Sequence, residues 1–515
     1  MITAKLGRIF VPDRGWVRAA TGVLAVLLVA AVAFGGDSAA VPGLGAATWY
    51  PPWDAGLGLG SALVTVLLVI ACLLGSVTVG LGLLAVRRGV YPSPRTVVIA
   101  ALGAVIVLTA VPPLGSADHL SYAAYGRIAA AGDDPYLVDP LQWRDGTDPV
   151  AGAIQPPWQH TQSVYGPVAT AAQAVVAWLG HGSLRATIWF WQLLSGLAFL
   201  AAGFALDRLT RHDARARGRA AVLWTLNPLL LNQLVLGGHL DVIAVAGVVG
   251  AIALAARRPL LAGMLLGVAV GSKITFALFG LAILWGLRDC ARPVLLRRVG
   301  FGLLGALLVL VPAHLWSGPH TYRQLHQASR MVSLATPWRP LVNQLDPIFG
   351  GTVRTVVGPL ALVCGLLLAI LLFRRLRAIQ TGVGADPDGG TVTAAAARAA
   401  VLLSVAWLLT TPYALPWYDA MVWGPLALLS GATAVGAAGL DVAMLARLTV
   451  LTLAYIPGRV VGMSADVERF TLGFRRETAP WLMLAILVAV VVWAVRRPTS
   501  DVRRSAAPMP GRSLR

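Results

Sequence analysis

Charged side chains are scarce in this chain, and their scarcity excludes a soluble globular protein. Only 12% of the 515 residues are Asp, Glu, Lys or Arg, whereas 57% are hydrophobic. A water-soluble domain carries roughly 25% charged residues, so much of this surface cannot face water. Apolar stretches long enough to cross the hydrocarbon core as helices recur along the chain. We therefore predict an all-α polytopic membrane protein.

Cysteine and lysine are also rare. The three cysteines, Cys72, Cys290 and Cys364, lie in or beside apolar segments, so neither a disulfide framework nor a Cys/His metal pattern follows. Lysine occurs only at Lys5 and Lys273, because arginine supplies every other basic group. A single lysine inside the apolar part of the chain is therefore a position to examine.

The net charge of +19 is high, but its distribution argues against a nucleic-acid partner. The arginines cluster in short loops between apolar segments, as in Arg208–Arg219 and Arg288–Arg298. This pattern is typical of cytoplasmic loops that face anionic lipid headgroups. We expect membrane lipids, and no nucleic acid, as partners.

The apolar segments and basic loops together define a topology. With a cytoplasmic N-terminus, about fourteen crossings place every basic loop inside, and we expect about 13–14 transmembrane helices. Counting the segment 165–180 as a further crossing would place the basic loop Arg208–Arg219 outside. We therefore interpret this segment as a helix in the outer interface or a re-entrant helix. The expected spans are 17–35, 58–86, 96–113, 186–206, 220–236, 241–256, 259–271, 274–287, 299–315, 354–373, 398–412, 420–437, 442–457 and 481–496.

No linker divides these spans into soluble modules. We predict an N-terminal two-span segment (1–95), a main transmembrane domain (96–496) and a basic cytoplasmic tail (497–515). The main domain has two large outer loops, 114–185 and 316–353, which we expect to bear short interfacial helices. The first of these loops is rich in aspartate, so we expect several carboxylates on the outer side of the membrane.

Asp118 directly follows an apolar segment, in "SADHLSYAAYGRIAAAGDDPY" (116–136). Aspartate is a preferred helix N-cap, which is one interpretation of this position. The other interpretation is a general base, because a carboxylate near a low-dielectric boundary has a raised pKa. The two roles do not exclude each other.

Ionisable groups also occur in two other outer segments. "LGGHLDVIA" places His239 and Asp241 at the outer start of a span, where they could bond within the bundle, since two residues are a weak metal signal. Lys273, in "VAVGSKITFAL", lies between two short apolar half-spans. An ionisable group within the membrane is a functional candidate; it could hold a phosphate as a point charge or snorkel to the interface.

Aromatic residues accompany these groups on the outer side. Tyr136 and Tyr165 stand beside prolines in the first outer loop, and "TPYALPWYDAM" presents Trp417 and Tyr418. Arg459 follows at the outer end of the next span. Tyr and Trp near a membrane face are commonly interfacial anchors, but aromatic faces beside carboxylates also suit a sugar. Together with the cations, they indicate a site for a charged lipid and a polyhydroxylated substrate.

Five motifs, taken in order and spacing, resemble one family. "DHLSYAAYGRIAAAGDDPYLVDP", "SVYGP", "NPLLLNQLVLGGHLDVIAVAG", "GSKITFAL" and "LPWY" are similar to the polyprenol-phosphate-mannose-dependent α-1,6-mannosyltransferases of actinobacteria (MptB-like), which have the GT-C glycosyltransferase fold. The resemblance runs from about residue 100 to 460. The family commonly has "GGHND" where this chain has Leu240, a difference that leaves His239 and Asp241 in place.

The resemblance implies an inverting GT-C enzyme of the plasma membrane. Such an enzyme would transfer mannose from polyprenyl-phosphate-mannose to a lipid-anchored α-1,6-mannan of the lipomannan type, on the extracytoplasmic side, with no metal or other cofactor. It implies Asp118 as the general base, and Lys273 with Arg459 as ligands of the donor phosphate. The residues implied to line the substrate cavity are His119, Tyr122, Asp134, Tyr136, Tyr165, His239, Asp241, Trp417 and Tyr418.

Two other functions share some of these features. One is a transferase of the same fold with another sugar, such as arabinose from decaprenyl-phosphate-arabinose. The other is a flippase or transporter of a lipid-linked sugar. No inverted repeat is visible in the sequence, and charged residues are not spread through the middle of the spans, which disfavours a transporter.

Overall fold

The computed structural model describes residues 15–325, 330–377, 379, 381–384, 389–430 and 437–496. In this part of the chain the regular structure is helical, and the one pairing of extended residues is an isolated bridge between Thr381 and Leu429. The predicted all-α class is confirmed, while the predicted basic tail (497–515) lies outside the described residues. The helices are α1 (Gly15–Phe34), α2 (Ser61–Arg87), α3 (Pro94–Thr109), α4 (Asp118–Ala130), α5 (Pro167–Leu179), α6 (Leu184–Thr210), α7 (Ala214–Ala220), α8 (Pro228–Leu230), α9 (Asp241–Leu254), α10 (Pro259–Ser272), α11 (Leu278–Leu287), α12 (Arg292–Ser317), α13 (Arg339–Phe349), α14 (Thr352–Leu376), α15 (Gly390–Thr410), α16 (Ala420–Ala427), α17 (Ala437–Ala454), α18 (Ala465–Gly473) and α19 (Ala479–Val495).

Seven helical stretches within the described residues are long and apolar enough to cross a membrane. Apolar helices of 10–17 residues accompany them, among them α3, α5, α9 and α10. The protein is therefore a polytopic membrane protein, and the expected total of about 13–14 crossings stays a prediction. The seven stretches are Gly15–Phe34, Ser61–Arg87, Leu184–Thr210, Arg292–Ser317, Thr352–Leu376, Gly390–Thr410 and Ala465–Val495.

The surface of α12 is that of a helix facing lipid. Among its residues only Gly305 is buried, and large side chains such as Leu303 and Leu307 are more than half exposed. On the opposite side α12 packs closely on α10, where a Cβ added to Gly263 would lie 1.9 Å from the Gly302 carbonyl oxygen. Small residues at the interface let two helix backbones approach in this way, as is common in membranes.

The centre of the bundle is formed by α9 and by an irregular segment before it. The expected span 220–236 is not one regular helix. Ala221–Thr225 and Leu231–Leu236 are π-helical, and the helix breaks between them at Asn227. The Asn227 side chain caps the short helix α8 by accepting the backbone N–H groups of the residues two and three positions on. The second irregular segment ends at Leu236, directly before the turn at 237–240 that leads into α9.

Two close backbone approaches bring the outer segments together. The N–H of Gly166 donates to the carbonyl of Ser272 at 3.1 Å, and a Cβ on Gly166 would lie 2.2 Å from the Gly271 carbonyl oxygen. Gly458, at φ +123°, packs on Gly115, whose carbonyl group would lie 2.3 Å from an added Cβ. Glycine is therefore required at both positions. Gly166 joins the start of α5 to the end of α10, and Gly458 joins the segment after α17 to the segment before α4.

Candidate active site

Asp118 is the first residue of α4, and its carboxylate does not cap that helix. Ala117 occupies the N-cap position without a side-chain cap, and the Asp118 N–H donates to the Ser116 hydroxyl at 3.1 Å. The carboxylate instead turns toward His239, with 3.6 Å between Oδ2 and Nδ1. It is 14% exposed, so a substrate can reach it. The capping interpretation of Asp118 is therefore not realised.

The surroundings of Asp118 suit a base that works near neutral pH. Burial raises the pKa of Asp118 to about 7; the positive charge of Lys273 opposes this rise and the carboxylate of Asp241 adds to it. General bases act best when their pKa lies near the working pH. Asp118 can therefore accept a proton without being permanently protonated.

Lys273 occupies the break between α10 and the helical turn Ile274–Ala277. Its Nζ donates to Asp241 Oδ1 at 2.8 Å and lies 3.2 Å from the ring centroid of Tyr418. A carboxylate and a ring face both hold an ammonium in place. The Lys273 side chain is 17% exposed and that of Asp241 only 2%, so the cation retains an accessible side while its partner is enclosed.

His239 and Trp417 form a stacked pair beside Asp118. Their rings are 3.6 Å apart and within 9° of parallel. The His239 Nε2 lies 3.5 Å from the Ser116 hydroxyl. Burial, His119 and the charge of Lys273 all hold the pKa of His239 well below its ordinary range. The imidazole is therefore neutral and offers hydrogen bonds without a charge.

Aromatic rings form one wall of the site. Tyr122 meets Tyr165 edge-on, with ring centroids 5.1 Å apart, and leans on Trp191 at 5.2 Å. Trp191 donates its indole N–H to the carbonyl of Gly238, which fixes the turn before His239. Burial, with the nearby Asp118 carboxylate, raises the pKa of Tyr122 well above its usual value, so this phenol stays protonated.

Trp191 was missed by the sequence reasoning. It is one of 17 tryptophans in the chain, and nothing in its local pattern separates it from an interfacial anchor. Arg447 was missed too, although a lone arginine inside an apolar span is a recognisable signal. Its Nε donates to Asp419 Oδ1 at 3.0 Å, and both side chains are at most 1% exposed. This buried ion pair joins the turn that carries Trp417 and Tyr418 to α17.

Arg459 is close to the site, but several of its donors are already used. Its Nε donates to Gln155 Oε1 at 3.0 Å, and its Nη1 donates to Asp37 Oδ1 at 2.8 Å and to the carbonyl of Ser38. Arg459 thus ties the loop after α1 to the first outer loop. It also helps burial lower the pKa of His119 to about 3. A role of Arg459 in phosphate binding stays a prediction.

Asp134 and Tyr136 lie away from Asp118. Asp134 Oδ1 accepts the Tyr136 N–H at 2.8 Å, and its Oδ2 is 3.0 Å from His320 Nδ1. The Tyr136 hydroxyl lies 2.7 Å from that of Thr170. These residues follow the far end of α4, about 20 Å along the helix from Asp118. Both Asp134 and Tyr136 line a separate cavity of about 250 Å³ between the ends of α4 and α12.

The remaining implied residues collect around Asp118 and Lys273. A cavity of about 30 Å³, lined in part by Ser116, Asn232 and Trp417, adjoins this cluster. It has room for about two water molecules. A ligand larger than water would therefore approach from the exposed sides of Asp118 and Lys273. Across the described residues no group of three or more His, Cys, Asp or Glu that could hold a metal occurs, and independence from metals and cofactors stays a prediction.

Comparison with known sequences points to the same function class as the motifs. A family model described as "Alpha-(1->6)-mannopyranosyltransferase, N-terminal domain" matches residues 19–288, just over half of the chain. The chain belongs to this family, MptA_B. The matched region begins within α1 and includes Asp118, His239 and Lys273. No solved structure matches the chain.

Individual MptA_B relatives match shorter stretches. Alpha-(1->6)-mannopyranosyltransferase B of Corynebacterium glutamicum is 33% identical over 134 residues, which are 26% of this chain and 22% of that protein. Alpha-(1->6)-mannopyranosyltransferase A of Mycobacterium tuberculosis is 31% identical over 166 residues, 32% of this chain and 31% of that protein. The matches thus span less than a third of the length of these two relatives.

Proposed function

We propose that this protein is an α-1,6-mannosyltransferase that uses polyprenyl-phosphate-mannose and extends a lipid-anchored α-1,6-mannan on the extracytoplasmic side of the plasma membrane. The observation that carries the proposal is the pairing of a base with a cation at one face of the bundle. Asp118 has a pKa of about 7, and Lys273 is near enough to influence it. Membership of the MptA_B family and the printed names of its relatives support mannose as the sugar.

Asp118 and Lys273 divide the chemistry between them. Asp118 removes the proton from the acceptor 6-hydroxyl, and that oxygen forms a bond to C1 of the β-mannosyl phosphate. The bond from C1 to the phosphate oxygen breaks at the same time, so the configuration inverts to α. The electron pair leaves with polyprenyl phosphate, and the Lys273 ammonium stabilises the charge that develops there.

The neutral and aromatic groups position the sugars in this scheme. His239, stacked on Trp417 and only 1% exposed, supports Asp118 from behind without adding a charge that would repel Lys273. Tyr165, which is partly exposed, presents its ring and protonated hydroxyl, and the buried Tyr122 packs edge-on against it. The cavity at Asp134 and Tyr136 lies far enough from Asp118 to receive an earlier residue of a polymeric acceptor rather than the reacting one.

The proposal is tested by incubating membranes that contain the protein with polyprenyl-phosphate-[14C]mannose and a short α-1,6-mannan acceptor. We expect a product one mannose longer with an α-1,6 linkage. The test variant is Asp118→Asn, and its matched control is Asp145→Asn. Asp145 is an exposed aspartate of the same outer loop, so its replacement should leave transfer unchanged. Transfer from decaprenyl-phosphate-arabinose instead, or translocation of intact lipid-linked sugar with no new glycosidic bond, would contradict the proposal.

A further inference from the structure

A second cavity lies among helices that do not carry Asp118. A groove of about 860 Å³ opens between α11, α14 and α15, with walls that include Leu281, Trp285, Ile370 and Phe373. Trp285 and Phe373 meet edge-on at 5.4 Å. Along α11 and just after it, the groove residues run from Leu281, about 12 Å along the chain from Lys273, to Arg288, about 22 Å from it. The groove is therefore separate from the proposed active site.

The walls of this groove expose apolar side chains that a water-facing protein would bury. Leu281, Leu366 and Ile370 are each more than half exposed. Exposed apolar surface on a membrane protein faces acyl chains, and here it is concave. The groove therefore has the shape and the polarity to enclose a lipid acyl chain along its length.

One end of the groove is cationic. Arg288, Arg377 and Arg398 line it, with Asp289 as the one acid among its lining residues. Arg288 is already paired with Asp289 at 2.8 Å. The guanidinium groups of Arg377 and Arg398 have no hydrogen bond or ion pair within the part of the chain that the structure describes; that of Arg377 lies 5.5 Å from the ring centroid of Phe373. Two guanidinium groups are thus available to an anion.

We propose that this groove binds an acidic phospholipid, with an acyl chain along its apolar walls and the phosphate at Arg377 and Arg398. Guanidinium groups form paired hydrogen bonds with phosphate oxygens. Basic pockets between transmembrane helices on the cytoplasmic side suit such headgroups. The charge of the groove selects an anionic lipid over a zwitterionic one, since the choline of the latter would face the arginines.

Native mass spectrometry of the delipidated full-length protein tests this site. The protein is titrated with phosphatidylglycerol and, separately, with phosphatidylcholine of the same acyl chains. The tested variant is Arg377→Gln/Arg398→Gln, and the control is Arg297→Gln, which removes an exposed arginine near the same end of the bundle that does not line the groove.

We expect phosphatidylglycerol to bind the wild type more tightly than phosphatidylcholine does. Each arginine lost should weaken it about fivefold, and the double variant roughly 25-fold, while Arg297→Gln has no effect. Bound lipid should also raise the thermal stability of the wild type but not of the double variant. Equal binding of the two lipids, an equal loss in Arg297→Gln, or unchanged binding in the double variant would each overturn the proposal.

Discussion

Replacing Lys273 by methionine separates its structural role from its chemical one. Methionine keeps the unbranched apolar stem and removes the ammonium, so Asp241, only 2% exposed, loses its partner at 2.8 Å. Removing one member of a buried ion pair costs about 3–5 kcal/mol, because the other charge stays buried without compensation. We therefore expect Lys273→Met to be less stable than the wild type by about that amount.

The double variant Lys273→Met/Asp241→Asn removes the stranded carboxylate as well. It should recover most of the lost stability, but not the contact between Lys273 and the Tyr418 ring at 3.2 Å. Such a cation–π contact contributes about 1–2 kcal/mol when partly desolvated. The double variant should therefore unfold only about 1–2 kcal/mol more easily than the wild type.

Activity should not follow stability in this series. Both Lys273→Met and the double variant lack the cation that we propose stabilises the leaving phosphate, and removing one such group costs about 10²–10³ in rate. The assay pairs thermal unfolding in detergent with transfer from radiolabelled polyprenyl-phosphate-mannose. If the double variant regained both stability and transfer, Lys273 would only hold Asp241 in place, and the assignment to phosphate would be refuted.

Three further predictions concern the site and its frame. The transfer rate should fall about tenfold per pH unit below pH 7 and level off above it, because Asp118, with a pKa of about 7, acts only when deprotonated; a rate independent of pH from 5 to 8 would contradict this. Trp417→Ala removes the ring stacked on His239 and should cost about 3–5 kcal/mol of stability, whereas Trp417→Phe should retain most of it in a thermal unfolding assay. Gly166→Ala introduces a Cβ 2.2 Å from a carbonyl oxygen of α10 and should destabilise by about 1–3 kcal/mol, whereas Gly103→Ala, with open space at its Cβ, should unfold at or above the wild-type temperature.

Periodicity and length predict most of the fold because membrane spans have a strong local signal. The helices α2, α6 and α10 follow the expected apolar runs closely. The break at Asn227 was not predicted, although the Asn227–Pro228 pair within this apolar run is a recognisable helix-breaking signal, because proline lacks a backbone N–H and disfavours a helical residue before it. The segment expected at 420–437 also differs: α16 ends at Ala427, and residues 431–436 lie outside the described part of the chain.

The candidate site was predictable where a residue type was rare. Lys273 stands out because the chain has only two lysines, and Asp118 because a carboxylate follows an apolar run. Their pairing with Asp241 and His239 depends on tertiary packing, which no local pattern encodes. The family resemblance also grouped Asp134 and Tyr136 with Asp118; in the structure they line a cavity beyond the C-terminal end of α4, and their role in holding the acceptor stays a prediction.

The most direct test of the account is Asp118→Asn. The substitution keeps the size of the side chain and removes its basicity, so stability and donor binding should stay at the wild-type level. Transfer of mannose from polyprenyl-phosphate-mannose should fall by about 10²–10⁴, the usual contribution of a positioned base. Transfer at the wild-type rate in Asp118→Asn would contradict the account, because no carboxylate would then be needed at this position.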